Sequence, residues 1–281
     1  MTISQLRENF KKSLVGLYPE TEVDSFFYLL AEEFLDKRRL DIALDPSAEA
    51  DPEGLQSILD ALERLKKYEP VQYILGYTEF YGLKFQVDKN VLIPRPETEQ
   101  LISWVLSDIP KEQNLSILDI GTGSGCIPVN LAKHLSSAKI TAYDISEGAL
   151  KVATENARFH KVEIDFKKAD ILKMQKLPQQ FDVIISNPPY VRELEKKEMH
   201  KNVLKHEPDT ALYVEDENAL IFYKKITELA AENLATGGLL YFEINQYLGA
   251  ETKELVEEMN FVAELKKDIF GNYRMLKAVK K

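Results

Sequence analysis

The chain has 281 residues, of which 44% are hydrophobic and 29% are charged, and its formal net charge is −10. This length favours about two domains, and the composition is ample for a packed core. No apolar run approaches the roughly 20 residues of a membrane span, and the first residues lack the apolar core of a secretory signal. The single cysteine, Cys126, excludes an intramolecular disulfide and a cysteine cluster for zinc. We therefore expect a cytoplasmic protein that holds no metal.

The charge distribution argues against a protein that grips nucleic acid unaided. Residues 1–95 hold 12 Lys and Arg against 17 Asp and Glu, so neither part of the chain is basic. Proteins that bind a phosphate backbone usually present a basic face. A local basic patch could still form on folding, so nucleic acid is disfavoured rather than excluded.

Residues 1–69 carry apolar side chains at three- and four-residue steps, the pattern of amphipathic helices. One helix is predicted from Ile3 to about Tyr18 and a second over residues 22–40. A third opens at Pro52, because proline suits the first turn of a helix. We interpret residues 1–69 as a helical bundle that docks a partner, with a purely supporting bundle as the alternative.

Residues 70–95 alternate aromatic, branched and polar side chains around glycines, which predicts a β-hairpin that includes residues 70–76 and links two domains. A helix then begins at Pro96, and its early glutamates complement the helix dipole. Arg95 lies between two prolines and is held stiffly. A structural ion pair and a substrate contact are equally open for it.

Residues 96–281 alternate strands and helices and form the second predicted domain. Helices are expected at 126–135, 147–159 and 219–234, the last ended by Gly237-Gly238. Seven strands are expected, at 116–120, 140–143, 164–166, 181–185, 239–244, 262–267 and 274–279. This order predicts an α/β fold with a doubly wound, Rossmann-like sheet.

A glycine-rich loop follows the first of these strands, and its residues are Asp119, Ile120, Gly121, Thr122, Gly123, Ser124 and Gly125. The glycines permit a tight turn and close backbone approach at a helix N-terminus. Their spacing differs from the Gly-x-Gly-x-x-Gly of nicotinamide sites. Asp119 would repel a pyrophosphate but attract an ammonium or sulfonium group, which favours S-adenosylmethionine over a dinucleotide.

Acidic residues also close the next two strands. Asp144 ends the second strand, where a carboxylate can accept both ribose hydroxyls of a nucleoside. Asp170, followed by Ile171, comes after the third, near the expected adenine amino group. Acids at the ends of three successive strands are much stronger evidence for a nucleoside site than the glycine loop alone.

The fourth strand ends in Asn187-Pro188-Pro189-Tyr190, which cannot continue a ladder because the prolines lack amide donors. The Asn187 side-chain oxygen and the Pro188 carbonyl could accept both hydrogens of a planar NH2 group, and Tyr190 could pack against it. Such a grip would aim the nitrogen lone pair at a sulfonium methyl, so that positioning does most of the catalysis. The alternative is a turn in which asparagine caps its own backbone.

With these motifs the chain resembles, over nearly its whole length, the glutamine N5-methyltransferases that modify peptide chain release factors. The most selective motif is Arg95-Pro96-Glu97-Thr98-Glu99; the others are residues 73–76, 91–94, 119–125, 187–190, 206–208 and 211–212. Residues 213–218 and Asn245-Gln246 depart from the family pattern, which has glycines there.

The resemblance implies a class I S-adenosylmethionine-dependent methyltransferase with an N-terminal helical docking domain. It implies methyl transfer to the glutamine of the release factor's Gly-Gly-Gln motif, with S-adenosylhomocysteine as the other product. By position, residues 119, 121–125, 144, 170–171 and Asn187 would hold the cofactor, and residues 187–190, with Arg95, the glutamine. A monomer without direct nucleic-acid contacts is expected.

Two other functions compete with this one. An N6-adenine or other exocyclic-amine methyltransferase would use the same turn on a base flipped out of a nucleic acid. A binding protein could have kept the fold and lost catalysis, although the intact motifs argue against it.

Overall fold

The structure, a computed structural model, describes residues 1–110 and 113–281, apart from the side chain of Glu198. The chain divides into two compact units. One comprises Met1–Gly76 and His200–His206, and the other comprises Tyr77–Met199 and Glu207–Lys281. No helix in the described ranges combines the length and the apolar character that crossing a membrane requires.

The first unit is helical. Its helices are α1 (Ile3–Leu14), α2 (Glu20–Leu35), α3 (Arg39–Leu44), α4 (Pro52–Leu65), α5 (Val71–Leu75) and α9 (Lys201–His206). Thr2 and Gln5 cap α1 reciprocally, and Asp51 caps α4 by accepting from the Gly54 amide at 2.8 Å. The apolar faces meet in one core, in which the rings of Phe10 and Phe27 lie 5.5 Å apart.

The sequence-based boundaries of this unit need three corrections. Helix α1 ends four residues early, before an exposed Val15. Helix α2 ends at Leu35, because Asp36 adopts a left-handed conformation with φ 51°. Residues 71–75 form a helix rather than a strand, since Pro70 begins it, Val71 and Ile74 are buried one turn apart, and Gly76 ends it with φ 79°.

The hairpin itself consists of β1 (Tyr77–Phe80) and β2 (Leu83–Gln86), joined through Tyr81 and Gly82, both at positive φ. Two residues with positive φ form the tight turn that suits the twist of a two-stranded ribbon. The hairpin therefore begins at Tyr77, and the segment before it belongs to the helical unit.

The second unit is built on a seven-stranded sheet. In chain order its strands are β3 (Ser116–Ile120), β4 (Lys139–Asp144), β5 (Asp165–Lys168), β6 (Phe181–Ser186), β9 (Leu234–Glu243), β10 (Phe261–Lys267) and β11 (Tyr273–Lys280). Their spatial order is β10-β11-β9-β6-β3-β4-β5, with β10 and β11 antiparallel to their neighbours and the others parallel. The predicted doubly wound α/β fold is thereby confirmed.

Helices cover both faces of this sheet. They are α6 (Pro96–Asp108), α7 (Cys126–His134), α8 (Glu147–Phe159), α10 (Ile221–Asn233) and α11 (Gly249–Glu258). Alternate residues of each strand point to opposite faces, so Ile117 packs with α6 to α8 and Leu118 packs with α10 and α11. A short parallel ribbon, β7 (Val191–Arg192) with β8 (Tyr213–Val214), completes the unit. The sequence pattern revealed neither the ribbon nor α11.

The prediction that Gly237-Gly238 end helix α10 was wrong. The helix ends at Asn233, and both glycines lie inside β9, beside the register shift in its pairing with β6. Gly237 has φ 76°, and a Cβ at Gly238 would lie 2.8 Å from the Ala235 carbonyl oxygen. Glycines serve here to form an irregular strand, because other residues would clash or be strained.

Candidate functional site

A cavity of about 380 Å³ opens at the carboxyl ends of the parallel strands. Strand β3 has β4 on one side and β6 on the other, so the strand order reverses there, where doubly wound sheets bind their ligands. The wall includes residues from each candidate motif, among them Thr122, Asp144, Asp170, Asn187 and Pro188, but the predicted site residues Asp119, Gly125 and Tyr190 are not part of it. The fold thus brings into one cavity segments that the sequence places far apart.

The glycine-rich loop forms one wall. Gly121, Gly123 and Gly125 all adopt positive φ, of 77°, 53° and 78°. A Cβ at Gly125 would also lie 3.0 Å from the Cβ of Ala153 in α8, so this glycine permits close packing of the loop on that helix. The amides of Gly121 and Thr122 donate to the Tyr143 carbonyl at 2.8 and 3.0 Å, which fixes the loop to the end of β4.

Asp144 braces the same loop from β4. Its Oδ2 accepts from the Gly123 amide and its Oδ1 from the Ser146 amide, both at 2.9 Å. The pKa of Asp144 is raised above its usual value, because the effect of burial exceeds the lowering by these amide donors. A carboxylate can accept about four hydrogen bonds, so its remaining lone pairs are available to ribose hydroxyls at the cavity wall.

Asp119 lies beneath the loop and is fully buried. Neither of its carboxylate oxygens has a hydrogen-bond partner within the described chain, and the buried hydroxyls of Thr122 and Ser124 also lack one. Burial raises the pKa of Asp119 to about 7, although the Thr122 hydroxyl close by acts to lower it without reaching hydrogen-bond geometry. Unsatisfied buried polar atoms are costly, so this cluster suits a site that a polar or cationic ligand completes.

Asp170 and Ile171 stand at the far end of the cavity, after β5. Asp170 forms an ion pair with Lys173 at 2.8 Å and accepts from the Leu172 amide at 3.2 Å. The Lys173 bond holds the pKa of Asp170 below its usual range. Ile171 is 8% exposed and gives this end of the cavity an apolar surface beside a carboxylate. Such a surface suits the adenine ring that the sequence analysis placed there.

The turn after β6 adjoins the glycine loop. The Ser186 hydroxyl donates to the Ile120 carbonyl at 2.7 Å, and a Cβ at Gly121 would lie 3.8 Å from the Asn187 carbonyl oxygen. Asn187, Pro188 and Pro189 all line the cavity. Among the described residues, no donor reaches the Asn187 side-chain oxygen or the Pro188 carbonyl oxygen. Two acceptors therefore stand unused beside the loop.

A buried network supports the turn from behind. The Asn187 side-chain nitrogen (Nδ2) donates to the Thr98 hydroxyl at 3.3 Å, and the Thr98 hydroxyl donates to Glu243 at 2.6 Å. The Tyr190 hydroxyl donates to the other Glu243 oxygen at 3.0 Å. Burial, with Glu243 close by, raises the pKa of Tyr190 well above its ordinary value, so this phenol stays protonated.

Arg95 lines the cavity and is held by Glu207. Its guanidinium donates to Glu207 at 2.5 Å, and the Ile93 amide donates to the same carboxylate at 3.2 Å. The Glu207 side chain is 1% exposed, against 31% for Arg95. The structural ion pair that the sequence left open therefore exists, and it ties residues 93–95 to the segment that continues into the cavity wall.

Sequence reasoning missed several residues of this site, among them Thr98, Glu243 and Asn245. Thr98 lies inside the Arg-Pro-Glu-Thr-Glu motif, and Glu243 is the penultimate residue of the fifth predicted strand, so both positions were visible in the sequence. Asn245, one of the departures from the family pattern, donates to the Tyr190 carbonyl and to a Glu195 oxygen, both at 2.9 Å. In the other departing segment, Tyr213 lines the cavity. Within the described ranges, no group of three or more His, Cys, Asp or Glu is arranged to hold a metal ion.

Comparisons of structure show the fold. A methyltransferase from Pyrococcus furiosus superimposes with a TM-score of 0.52 and 19% identity, covering 80% of this chain and 95% of that one. A T. thermophilus 16S rRNA methyltransferase in complex with AdoMet and guanosine gives a TM-score of 0.53 at 17% identity, covering 73% of this chain and 50% of that one. At this identity the likeness concerns the sheet and its helices.

Comparisons of sequence go further. Residues 5–76 match the family model of the PrmC N-terminal domain, and residues 102–212 match that of the methyltransferase small domain. The release factor glutamine methyltransferase of Flavobacterium psychrophilum is 52% identical over 99% of both chains. That of Bacteroides thetaiotaomicron is 41% identical over 98% of this chain and 99% of its own. The chain belongs to the family of release factor glutamine methyltransferases.

Proposed function

We propose that this protein transfers a methyl group from S-adenosylmethionine to the side-chain amide nitrogen of the glutamine in the Gly-Gly-Gln motif of peptide chain release factors. The observation that carries the proposal is the pair of unused acceptors at the turn, the Asn187 side-chain oxygen and the Pro188 carbonyl. Both residues line the cavity. A primary amide has two N–H bonds, and two acceptors can hold both.

The proposed cofactor fits the residues of the other wall. The glycine loop allows close backbone approach, Asp144 has lone pairs for ribose hydroxyls, and Ile171 offers an apolar surface to adenine. The unpaired Asp119 carboxylate, with the hydroxyls of Thr122 and Ser124, suits the cationic end of the molecule.

The chain's contribution to the reaction is orientation. An amide nitrogen is a weak nucleophile because its lone pair is delocalised, so the acceptors must hold the group with that lone pair directed at the methyl carbon. When bound, S-adenosylmethionine would supply that methyl on its sulfonium, with the S–C bond breaking as the N–C bond forms, S-adenosylhomocysteine as the leaving group, and one proton passing from the nitrogen to water. Tyr190 stays neutral and donates to Glu243, which anchors the turn to the end of β9.

The assay that tests this function is transfer of labelled methyl from S-adenosylmethionine to purified, unmodified release factor, with DNA and ribosomal RNA as parallel substrates. We expect label on the factor, lost when the glutamine of its Gly-Gly-Gln motif is replaced. Label on nucleic acid alone would mean that the turn grips a flipped base. Cofactor binding without any transfer would mean a non-catalytic protein. Either result would overturn the proposal.

The helical unit, Met1–Gly76 with His200–His206, serves in this proposal to dock the release factor. The main support for this role is the match of residues 5–76 to the family model of the PrmC N-terminal domain. If the helical unit binds parts of the factor other than the reacting glutamine, a short Gly-Gly-Gln peptide lacks those contacts. We therefore expect the peptide to have a KM at least tenfold above that of the whole factor. Equal KM values for peptide and factor would refute this docking role.

The working form in this proposal is a cytoplasmic monomer that makes no direct contact with nucleic acid. The net charge of −10 supports the absence of nucleic-acid binding. Light scattering during gel filtration should give a mass near 32.2 kDa, and added RNA should leave the elution unchanged. A dimer mass, or co-elution with RNA, would refute it.

A further inference from the structure

The turn's hydrogen bonds run in one direction, from Asn187 through Thr98 to Glu243. Glu243 is the last residue of β9 and is 1% exposed, and Thr98, in the first turn of α6, is 3% exposed. One Glu243 oxygen accepts from Thr98 at 2.6 Å and the other accepts from Tyr190 at 3.0 Å. A single buried carboxylate therefore contacts Tyr190 directly and Asn187 through the Thr98 hydroxyl.

The direction of each bond follows from its acceptor. Burial raises the pKa of Glu243, and the hydrogen bonds from the Thr98 and Tyr190 hydroxyls lower it. Both Glu243 oxygens accept from these hydroxyls, as they do in the ionised carboxylate, which only accepts; Thr98 then uses its one hydroxyl hydrogen on Glu243. The Thr98 oxygen then has only lone pairs to offer Asn187, 3.3 Å away, and only the NH2 end of that carboxamide can donate to them. The Asn187 side-chain oxygen must consequently occupy the opposite side, away from Thr98.

This constraint matters because the two ends of a carboxamide are nearly equal in size but opposite in hydrogen-bonding role. Turned around, Asn187 would present its NH2 to the NH2 of the substrate, donor against donor. On the basis of the proposed function, we infer that Glu243 and Thr98 are positioning residues, which fix the accepting end of Asn187 toward the substrate amide.

A purely structural clamp between β9 and α6 would behave differently from this relay. Glutamine at position 243 keeps the size and two hydrogen-bonding ends of glutamate, so a clamp would tolerate it. Glutamine, however, has only one accepting end, whereas Thr98 and Tyr190 both need to donate. One of the two hydroxyls must then reverse or lose its bond, and reversal at Thr98 turns Asn187 around.

The experiment compares Thr98→Ser, Thr98→Val and Glu243→Gln by steady-state kinetics with release factor and S-adenosylmethionine. Serine keeps the hydroxyl, so we expect its kcat within threefold of the wild type. Valine keeps the shape without the hydroxyl, and we expect kcat to fall roughly 10- to 100-fold, as it should for Glu243→Gln. Cofactor Kd and the melting temperature report whether each variant is folded.

The kcat pattern decides between relay and clamp. Wild-type activity in both Thr98→Val and Glu243→Gln would overturn the relay while leaving the proposed function intact. An equal loss in Thr98→Ser and Thr98→Val, in folded protein, would also overturn it, because the hydroxyl would then not be the active feature. Failure of the wild type to methylate the factor would instead contradict the proposed function itself.

Discussion

The Thr98 hydroxyl and the Glu243 carboxylate meet at 2.6 Å although 145 residues separate them in the chain. Their contact joins the start of α6 to the end of β9. Thr98 also accepts from Asn187, and Glu243 from Tyr190, so the pair contacts both polar side chains of the turn. The geometry of the proposed amide grip therefore depends on two residues that lie far from the turn in the sequence.

Asn187→Ala removes one of the two acceptors that would hold the substrate amide. We expect methyl transfer to be abolished, while cofactor affinity stays within about tenfold, or roughly 1.4 kcal/mol, of the wild type. Labelled transfer and calorimetric titration measure the two quantities. Asn218→Ala, which changes an exposed asparagine, is the matched control and should keep full activity. Full activity in Asn187→Ala would refute the grip.

Asp144→Ala removes a carboxylate that binds the Gly123 and Ser146 amides and lines the cavity. We expect cofactor affinity to fall at least tenfold, about 1.4 kcal/mol or more, because both the ribose contacts and the brace of the loop are lost. Calorimetry checks this, with Glu147→Gln as a control that removes an exposed charge nearby. An unchanged Kd for Asp144→Ala would rule out its ribose role.

Asp119→Asn should change how stability depends on pH. The folded-state pKa of Asp119 is about 7, against 3.8 for an ordinary aspartate, so the folded protein binds its proton more tightly than the unfolded chain. The stabilisation of the fold by this tighter proton binding is complete below about pH 3.8. It is lost as pH rises through 7, at up to about 1.4 kcal/mol per pH unit.

Asparagine is neutral throughout this range. The melting temperature of Asp119→Asn, relative to the wild type, should therefore increase between pH 4 and 7 and level off above it. A difference that stays constant with pH would show that the pKa of Asp119 is not raised in the folded protein.

Arg95→Met should be more destabilising than Glu207→Gln. Loss of Arg95 leaves the Glu207 carboxylate, 1% exposed, without its cation, and breaking buried pairs in this way typically costs about 3–5 kcal/mol. Glu207→Gln leaves behind a partly exposed cation and can still accept from the Ile93 amide, so we expect a smaller loss.

Urea unfolding measures both free energies. Arg38→Met removes an arginine that pairs with Asp41 at the surface, where the loss should be about 1 kcal/mol or less. If Arg95→Met were no more destabilising than this control, the Arg95–Glu207 pair would contribute little to the fold.

The sequence by itself determined the order of the elements in the second unit and where its motifs stand. Periodicity is a local property, so it located the seven strands, and the glycine loop and the Pro-Pro step are visible wherever they occur. It was less reliable for residues 71–75, because a segment of five residues is too short to establish a helical period. It also misread Gly237 and Gly238, because a glycine pair can end a helix or bend a strand.

Only the tertiary structure decided which distant side chains meet. The Thr98–Glu243 and Arg95–Glu207 contacts, and the inclusion of His200–His206 in the helical unit, bring together segments that lie far apart in the chain. No local pattern encodes these contacts, since hydrogen bonds require atoms within about 3 Å, whereas sequence periodicity reports only which face of an element is buried.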